Sequence, residues 1–259
     1  MWGAIIGDIA GSVYEWNRIK TKEFEFFVDN CLYTDDSVCT AAVAEILLGD
    51  LPAASTLQRW CRNHPGRGYG YMFSFWINRP DPEPYGSYGN GAAMRVSPAA
   101  FLNCNRSLEE ALAAADRVTE ITHNHSEGMK GARAATHAIW LAFQKYEPKD
   151  IRRIIERTYS YDLYPTVDDI RPEYTFNETC QETVPEAITC ALESTSFEDA
   201  VRNAISLGGD SDTLAAIAGS IAEAMHGVPD HLVAKAVDQY LAGAPDIVKV
   251  IAKMYETDI

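Results

Sequence analysis

Apolar residues recur at intervals of three and four along most of this chain, the spacing of one face of an α-helix. The clearest case is residues 107–122, where Leu108, Leu112, Ala115, Val118 and Ile121 form one stripe behind a Ser107-x-x-Glu110 capping box. Similar patterns predict helices over residues 3–14, 53–64, 69–78, 128–143, 149–159, 179–192, 197–205, 230–241 and 244–255. Two further helices are expected behind short acidic stretches. Ala41, Ile46 and Leu47 follow Tyr33-Thr34-Asp35-Asp36-Ser37, and Leu214, Ile217, Ile221 and Met225 follow Gly208-Gly209-Asp210-Ser211-Asp212-Thr213. No strand alternation, Asn-Gly hairpin or fixed-period repeat interrupts the series. The pattern predicts an all-α fold, a single compact multi-helix domain over residues 1–259.

Composition narrows the function classes. Apolar residues make up 47% and charged residues 23%, an ordinary globular mix. No apolar run reaches the roughly 18 residues of a membrane span, and the start lacks the basic residues of a secretory signal, so a cytoplasmic protein is expected. The six cysteines form no C-x-x-C pair, so most are expected to be reduced, buried thiols, with neither a zinc site nor a disulfide framework suggested. A net charge of −15 disfavours nonspecific nucleic-acid binding, which depends on Lys and Arg neutralising phosphates. A single phosphorylated ligand held by backbone N–H groups and metals remains compatible with it.

The acidic stretches carry the candidate chemistry. Either one alone reads as a helix N-cap, since Asp and Thr there satisfy free N–H groups and oppose the dipole. Together they supply four carboxylates, Asp35, Asp36, Asp210 and Asp212, and two hydroxyls, Thr34 and Thr213. That charge balances two divalent cations, and oxygen-only ligands select Mg²⁺ or Mn²⁺ over Zn²⁺. The expectation is a two-metal site that joins the two ends of the chain.

Three other features accompany it. Gly3, Gly7 and Gly11 are spaced four apart, as close helix packing requires, and Glu15 follows, either solvated or pointing into a cleft. Behind a Pro-rich break at residues 79–84, Gly86-Ser87-Tyr88-Gly89-Asn90-Gly91 reads as a glycine-rich turn opening a helix. A plain helix entry explains it; so would a phosphate cradle with Tyr88 stacked on a nucleobase. Thr122-His123-Asn124-His125 closes the clearest helix, and two His spaced by one do not share a helical face, so joint metal binding is not expected. A cap, a surface residue or a donor to a ligand stays open for His123. Residues 17–29 and the aperiodic residues 160–177 are the expected substrate rim.

In this order the motifs resemble the ADP-ribosylglycohydrolase family, of the type that includes the hydrolase reactivating ADP-ribosylated dinitrogenase reductase. The matching pieces are Gly7-Asp8 through Glu15, Thr34-Asp35-Asp36, Gly86 to Arg95, Thr122-His123-Asn124-His125 and Gly208 to Thr213. By that resemblance Thr34, Asp35, Asp36, Asp210, Asp212 and Thr213 hold two Mg²⁺ or Mn²⁺ ions, and Glu15 sits at the glycosidic bond. Gly86, Ser87, Tyr88, Gly89 and Asn90 would line the diphosphate and adenosine, with Tyr88 near adenine and His123 at the distal part of ADP-ribose. Ser37 stands where many members carry Thr. The implied activity is metal-dependent release of ADP-ribose from an ADP-ribosylated protein or other acceptor. Glu15 is the favoured acid–base residue and Asp36 its competitor. A metal-dependent nucleotide phosphohydrolase and a non-catalytic ADP-ribose binder are the alternatives, with a monomer as the default state.

Overall fold

A computed structural model describes residues 1–256, and its regular structure is helical. The elements are α1 (Trp2–Gly11), α2 (Asp35–Gly49), α3 (Ala53–Asn63), α4 (Tyr71–Ile77), α5 (Gly91–Met94), α6 (Ser97–Leu102), α7 (Leu108–Thr119) and α8 (Ser126–Phe143). They continue with α9 (Pro148–Tyr159), α10 (Val167–Ile170), α11 (Cys180–Leu192), α12 (Phe197–Ser206), α13 (Ser211–His226), α14 (Asp230–Lys235) and α15 (Pro245–Glu256). The only β-type pairing among the described residues is an isolated antiparallel bridge between Gly89 and Thr179.

Helix α13 forms the centre. Its sequence SDTLAAIAGSIAEAMH is rich in small residues, and every position from Ser211 to Ala224 is buried. Helices α1, α8, α11 and α12 surround it, and α2 lies beyond α1 with α3, α6 and α15 on its other sides. The amphipathic pattern expected for α2 and α13 is thus replaced by burial on nearly all sides. A helix without a polar face is what a central position demands. One continuous apolar core runs from Met1 to Met254.

The glycine ladder explains how closely α1 approaches α13. A Cβ at Gly3 would lie 2.2 Å from the Gly219 carbonyl oxygen, one at Gly7 2.1 Å from that of Ala215, and one at Gly11 2.5 Å from that of Ser211. Any side chain there would overlap the backbone of α13. This contact brings the end of α1 beside the start of α13, and with it the first acidic stretch beside the second.

Several boundaries differ from those expected. Helix α1 ends at Gly11, and Ser12 to Trp16 form turns, with the Ser12 hydroxyl donating to the Ile9 carbonyl at 2.8 Å and accepting from the Leu32 N–H at 3.1 Å. The glycine-rich turn opens only the single turn α5, followed by the unexpected α6, whose Pro98 occupies the first turn, where no N–H is needed. Within the aperiodic stretch, Thr166 and Asp169 form a capping box around the short α10. The helix expected at 230–241 changes pitch, passing from α14 into a π-helical turn, Ala236–Tyr240. Among the described residues, no helix is long and apolar enough to cross a membrane. The six cysteines are free, and all but Cys104 are buried.

Candidate active site

The floor of the site is built from three chain segments. Thr34 caps α2, its hydroxyl accepting from the Asp36 N–H at 3.3 Å. Asp210 and Asp212 flank the start of α13, and the Thr213 hydroxyl reaches across to Asp36 Oδ2 at 3.3 Å. That contact joins segments 177 residues apart, so one acidic cluster draws on both ends of the chain. The third segment is the turn after α1, which brings Glu15 in. The carboxylates of Glu15, Asp210 and Asp212 each place an oxygen within 4.8 Å of the other two.

Asp8 organises the cluster from below, a role that the motif alone does not assign. It is fully buried in α1 and accepts from the Thr34 N–H at 3.0 Å and the Thr34 hydroxyl at 2.7 Å. It also accepts from the Ser37 N–H at 3.0 Å and from the Ser37 hydroxyl. A hydroxyl at position 37 is all this contact needs, and Ser37 supplies it. The signal for Asp8 was its isolation: one acid inside an apolar, glycine-rich helix has to find donors.

Burial and mutual repulsion raise the proton affinity of the carboxylates in the cluster. Burial, then repulsion from Asp212, pushes Asp36 well above the usual carboxylate range, and burial does the same to Asp35 and Asp210. Asp8 and Glu15 are both pushed up to about 7, by burial first and then by Asp212. Among the described residues none of Asp35, Asp36, Asp210 and Asp212 has an ion-pair partner. Asp36 Oδ1 is buried with no hydrogen-bond partner. Crowded, buried carboxylates with an orphaned oxygen suit hard divalent cations.

The opposite wall has the other polarity. Arg95 is 1% exposed, and its Nη2 donates to the Thr122 hydroxyl at 2.6 Å and the Val118 carbonyl at 3.1 Å. Arg95 Nη2 also lies 3.4 Å from His123 Nδ1. Burial, then Arg95, holds His123 well below its ordinary pKa, so the ring is neutral. A guanidinium can only donate, which makes Nδ1 the acceptor and leaves the proton on Nε2. That nitrogen faces the glycine turn, 3.3 Å from where a Cβ on Gly91 would stand. His123 is therefore a buried donor at the cleft, not a surface cap, whereas His125 caps α8 by accepting from the Glu127 N–H at 3.2 Å.

The glycine turn itself is held by the protein. The Gly86 N–H donates to Asn124 Oδ1 at 2.8 Å, that of Ser87 to the Thr122 carbonyl at 3.3 Å, and that of Asn90 to the Glu178 carbonyl at 2.8 Å. These bonds fix its shape and leave fewer N–H groups for a ligand than a free phosphate cradle would. Asn90 links the two walls, its Nδ2 donating to Asp210 Oδ2 at 2.7 Å and to the Thr183 hydroxyl at 3.2 Å. Tyr88 is 47% exposed, with its ring 5.2 Å from that of His125.

All of Glu15, Thr34, Asp35, Asp36, Gly86, Ser87, Tyr88, Gly89, Asn90, His123, Asp210, Asp212 and Thr213 line one cleft of about 580 Å³, together with Gly91, Met94 and Arg95. Its rim differs from the expected one. Gly68, Gly70 to Phe73, Tyr85, Glu178 and Thr179 complete the lining, and none of residues 17–29 or 160–177 belongs to it. Gly68-Tyr69-Gly70 ahead of α4 was the available cue, a glycine-flanked aromatic obscured by the helical pattern that follows.

The chain is similar to several known proteins. The ADP-ribosylglycohydrolase family profile matches residues 1–257. ADP-ribosylhydrolase ARH3 of Mus musculus is 26% identical over a 306-residue alignment covering 87% of this chain and 82% of that protein. ADP-ribosylarginine hydrolase Tri1 of Pseudomonas putida (strain GB-1) is 24% identical over 87% of this chain and 69% of its own length. A solved structure titled ADP-ribosylglycohydrolase-related protein complex shares the fold at a TM-score of 0.72 and 20% identity, covering 100% of this chain and 96% of that one. With a profile match over nearly its whole length and the acidic cluster assembled, this chain belongs to the ADP-ribosylglycohydrolase family.

Proposed function

We propose that the protein hydrolyses the glycosidic bond between C1″ of ADP-ribose and a modified acceptor, releasing ADP-ribose. One observation carries this: a single cleft joins an acidic floor, able to hold cations at a ribose, to a wall with Arg95 and a donating His123, suited to a diphosphate. Relatives named as ADP-ribosylhydrolases support the same chemistry.

Thr34, Asp35, Asp36, Asp210, Asp212 and Thr213 are the residues that would hold Mg²⁺ or Mn²⁺. When bound, such ions supply Lewis acidity and hold substrate oxygens in place. The chain's own groups do the rest. Glu15, within 4.8 Å of the Asp210 and Asp212 carboxylates, is the proton-handling group. The oxygen of water joins C1″ as the bond to the acceptor breaks, and the acceptor leaves with a proton. The neighbouring carboxylates stabilise positive charge developing on the sugar. Asn90 orients Asp210, and Gly86 to Asn90 shape the wall for the diphosphate, with Tyr88 offering a ring to the adenine. The proposed working form is a monomer in the cytoplasm.

The test is a panel of ADP-ribosylated arginine, serine and nucleic-acid substrates, each assayed with Mg²⁺, Mn²⁺ or chelator. Free ADP-ribose released only with metal is the expected result. Phosphate or AMP as product would instead identify a phosphohydrolase, and metal-dependent binding without product a non-catalytic binder.

A further inference from the structure

Glu15 is carried by a turn rather than a helix, so its placement depends on side-chain anchors. On one side the Ser211 hydroxyl donates to the Tyr14 carbonyl at 3.4 Å, tying the turn to the start of α13. On the other, the Trp16 ring stacks on Phe176, with centroids 5.6 Å apart and planes at 29°. The Arg18 guanidinium covers Phe176 at 4.7 Å from its centroid, while Arg18 Nε donates to the Glu15 carbonyl at 3.3 Å.

Phe176 has its own connection to the acidic cluster. The next residue, Asn177, accepts through its carbonyl from the Thr183 hydroxyl at 3.1 Å, and through Oδ1 from the Thr179 N–H at 2.8 Å. Thr183 in turn accepts from Asn90, the residue that donates to Asp210. A chain of contacts therefore runs from Asp210 through Asn90, Thr183, Asn177 and Phe176 to Trp16, the neighbour of Glu15, whose carboxylate lies within 4.8 Å of that of Asp210. The stack is its most exposed link, since Trp16 is 72% exposed.

We infer that the Trp16–Phe176 stack is a clasp that holds Glu15 against Asp210 and Asp212, which makes Phe176 a positioning residue outside the cleft. The inference rests on the hydrolase reading for its kinetic consequence, though not for its geometry. A displacement of about 1 Å at a reacting group costs roughly 10²-fold in rate.

The experiment compares Phe176→Leu, which keeps apolar bulk without a ring, with Phe176→Tyr, which keeps the ring. In Phe176→Leu kcat should fall by about tenfold or more while KM and Mn²⁺ affinity stay within about threefold, and Phe176→Tyr should retain kcat. Crystal structures of the wild type and Phe176→Leu supply a readout besides activity, with Glu15 expected to leave the Asp210–Asp212 group in the variant. Unchanged kcat with Glu15 in place, or an equal loss of metal affinity, would overturn the clasp. If the wild type releases no ADP-ribose, the hydrolase reading fails, and the position of Glu15 in the two structures alone decides the clasp.

Discussion

Glu15 and Asp8 are two acids on or just beyond one helix with opposite duties. Glu15 opens onto the cleft, whereas Asp8 is sealed beneath it with its oxygens occupied by Thr34 and Ser37. Glu15→Gln should leave ADP-ribose affinity within a few-fold and lower kcat by roughly 10²-fold or more; equilibrium binding and single-turnover assays read the two effects separately. Asp8→Ala leaves the N–H and hydroxyl donors of Thr34 and Ser37 without an acceptor. It should cost about 3 kcal/mol in urea unfolding and weaken Mn²⁺ binding, because the Thr34 cap loses its anchor. At this scale the acidic cluster was legible in the sequence, since carboxylates and hydroxyls at two helix starts exceed what capping needs, and the structure brings them into one cleft. Asp8 was not, because only the packed structure shows what a buried acid bonds to.

Helices α1 and α13 set the distances within the site. Their backbones meet through Gly3, Gly7 and Gly11, so Gly7→Ala has to push α1 away from the Ala215 carbonyl. The expected cost is about 3 kcal/mol, with weakened metal binding because Asp8 moves with α1. Gly243→Ala, with nothing within 4 Å of the new methyl, should be nearly neutral by the same thermal and binding assays. The glycine spacing announced close packing, and the capping box of α7 appeared as expected. The short α6 and α10 leave no signature in the sequence pattern, because one or two turns present too few apolar positions for a period. The central place of α2 and α13 was hidden for a related reason: small residues such as Ala and Gly give a weak apolar stripe even when every face is covered.

Across the whole molecule, buried negative charge couples metal, protons and stability. Asp8 and Glu15 have folded-state pKa values of about 7, above the roughly 4 of free carboxyls. The folded state therefore binds protons more tightly, and their stabilising contribution is complete below about pH 4 and lost as pH rises toward 7. In chelator, this cluster should make the protein less stable as pH climbs through that window. Protons and cations compete for the same oxygens, so the rise in Tm produced by Mn²⁺ should grow between about pH 5 and pH 8. A Tm shift that is flat with pH would mean that the cation binds elsewhere.

In the proposed enzyme Asp36 and Asp212, from the two acidic stretches, serve one pair of cations. Titration with Mn²⁺ followed by electron paramagnetic resonance is the decisive measurement. Two ions per chain with exchange coupling are expected, as for metals roughly 4 Å apart, and the coupling should vanish in both Asp36→Ala and Asp212→Ala. Two uncoupled ions, or a coupled pair that survives either substitution, would contradict it.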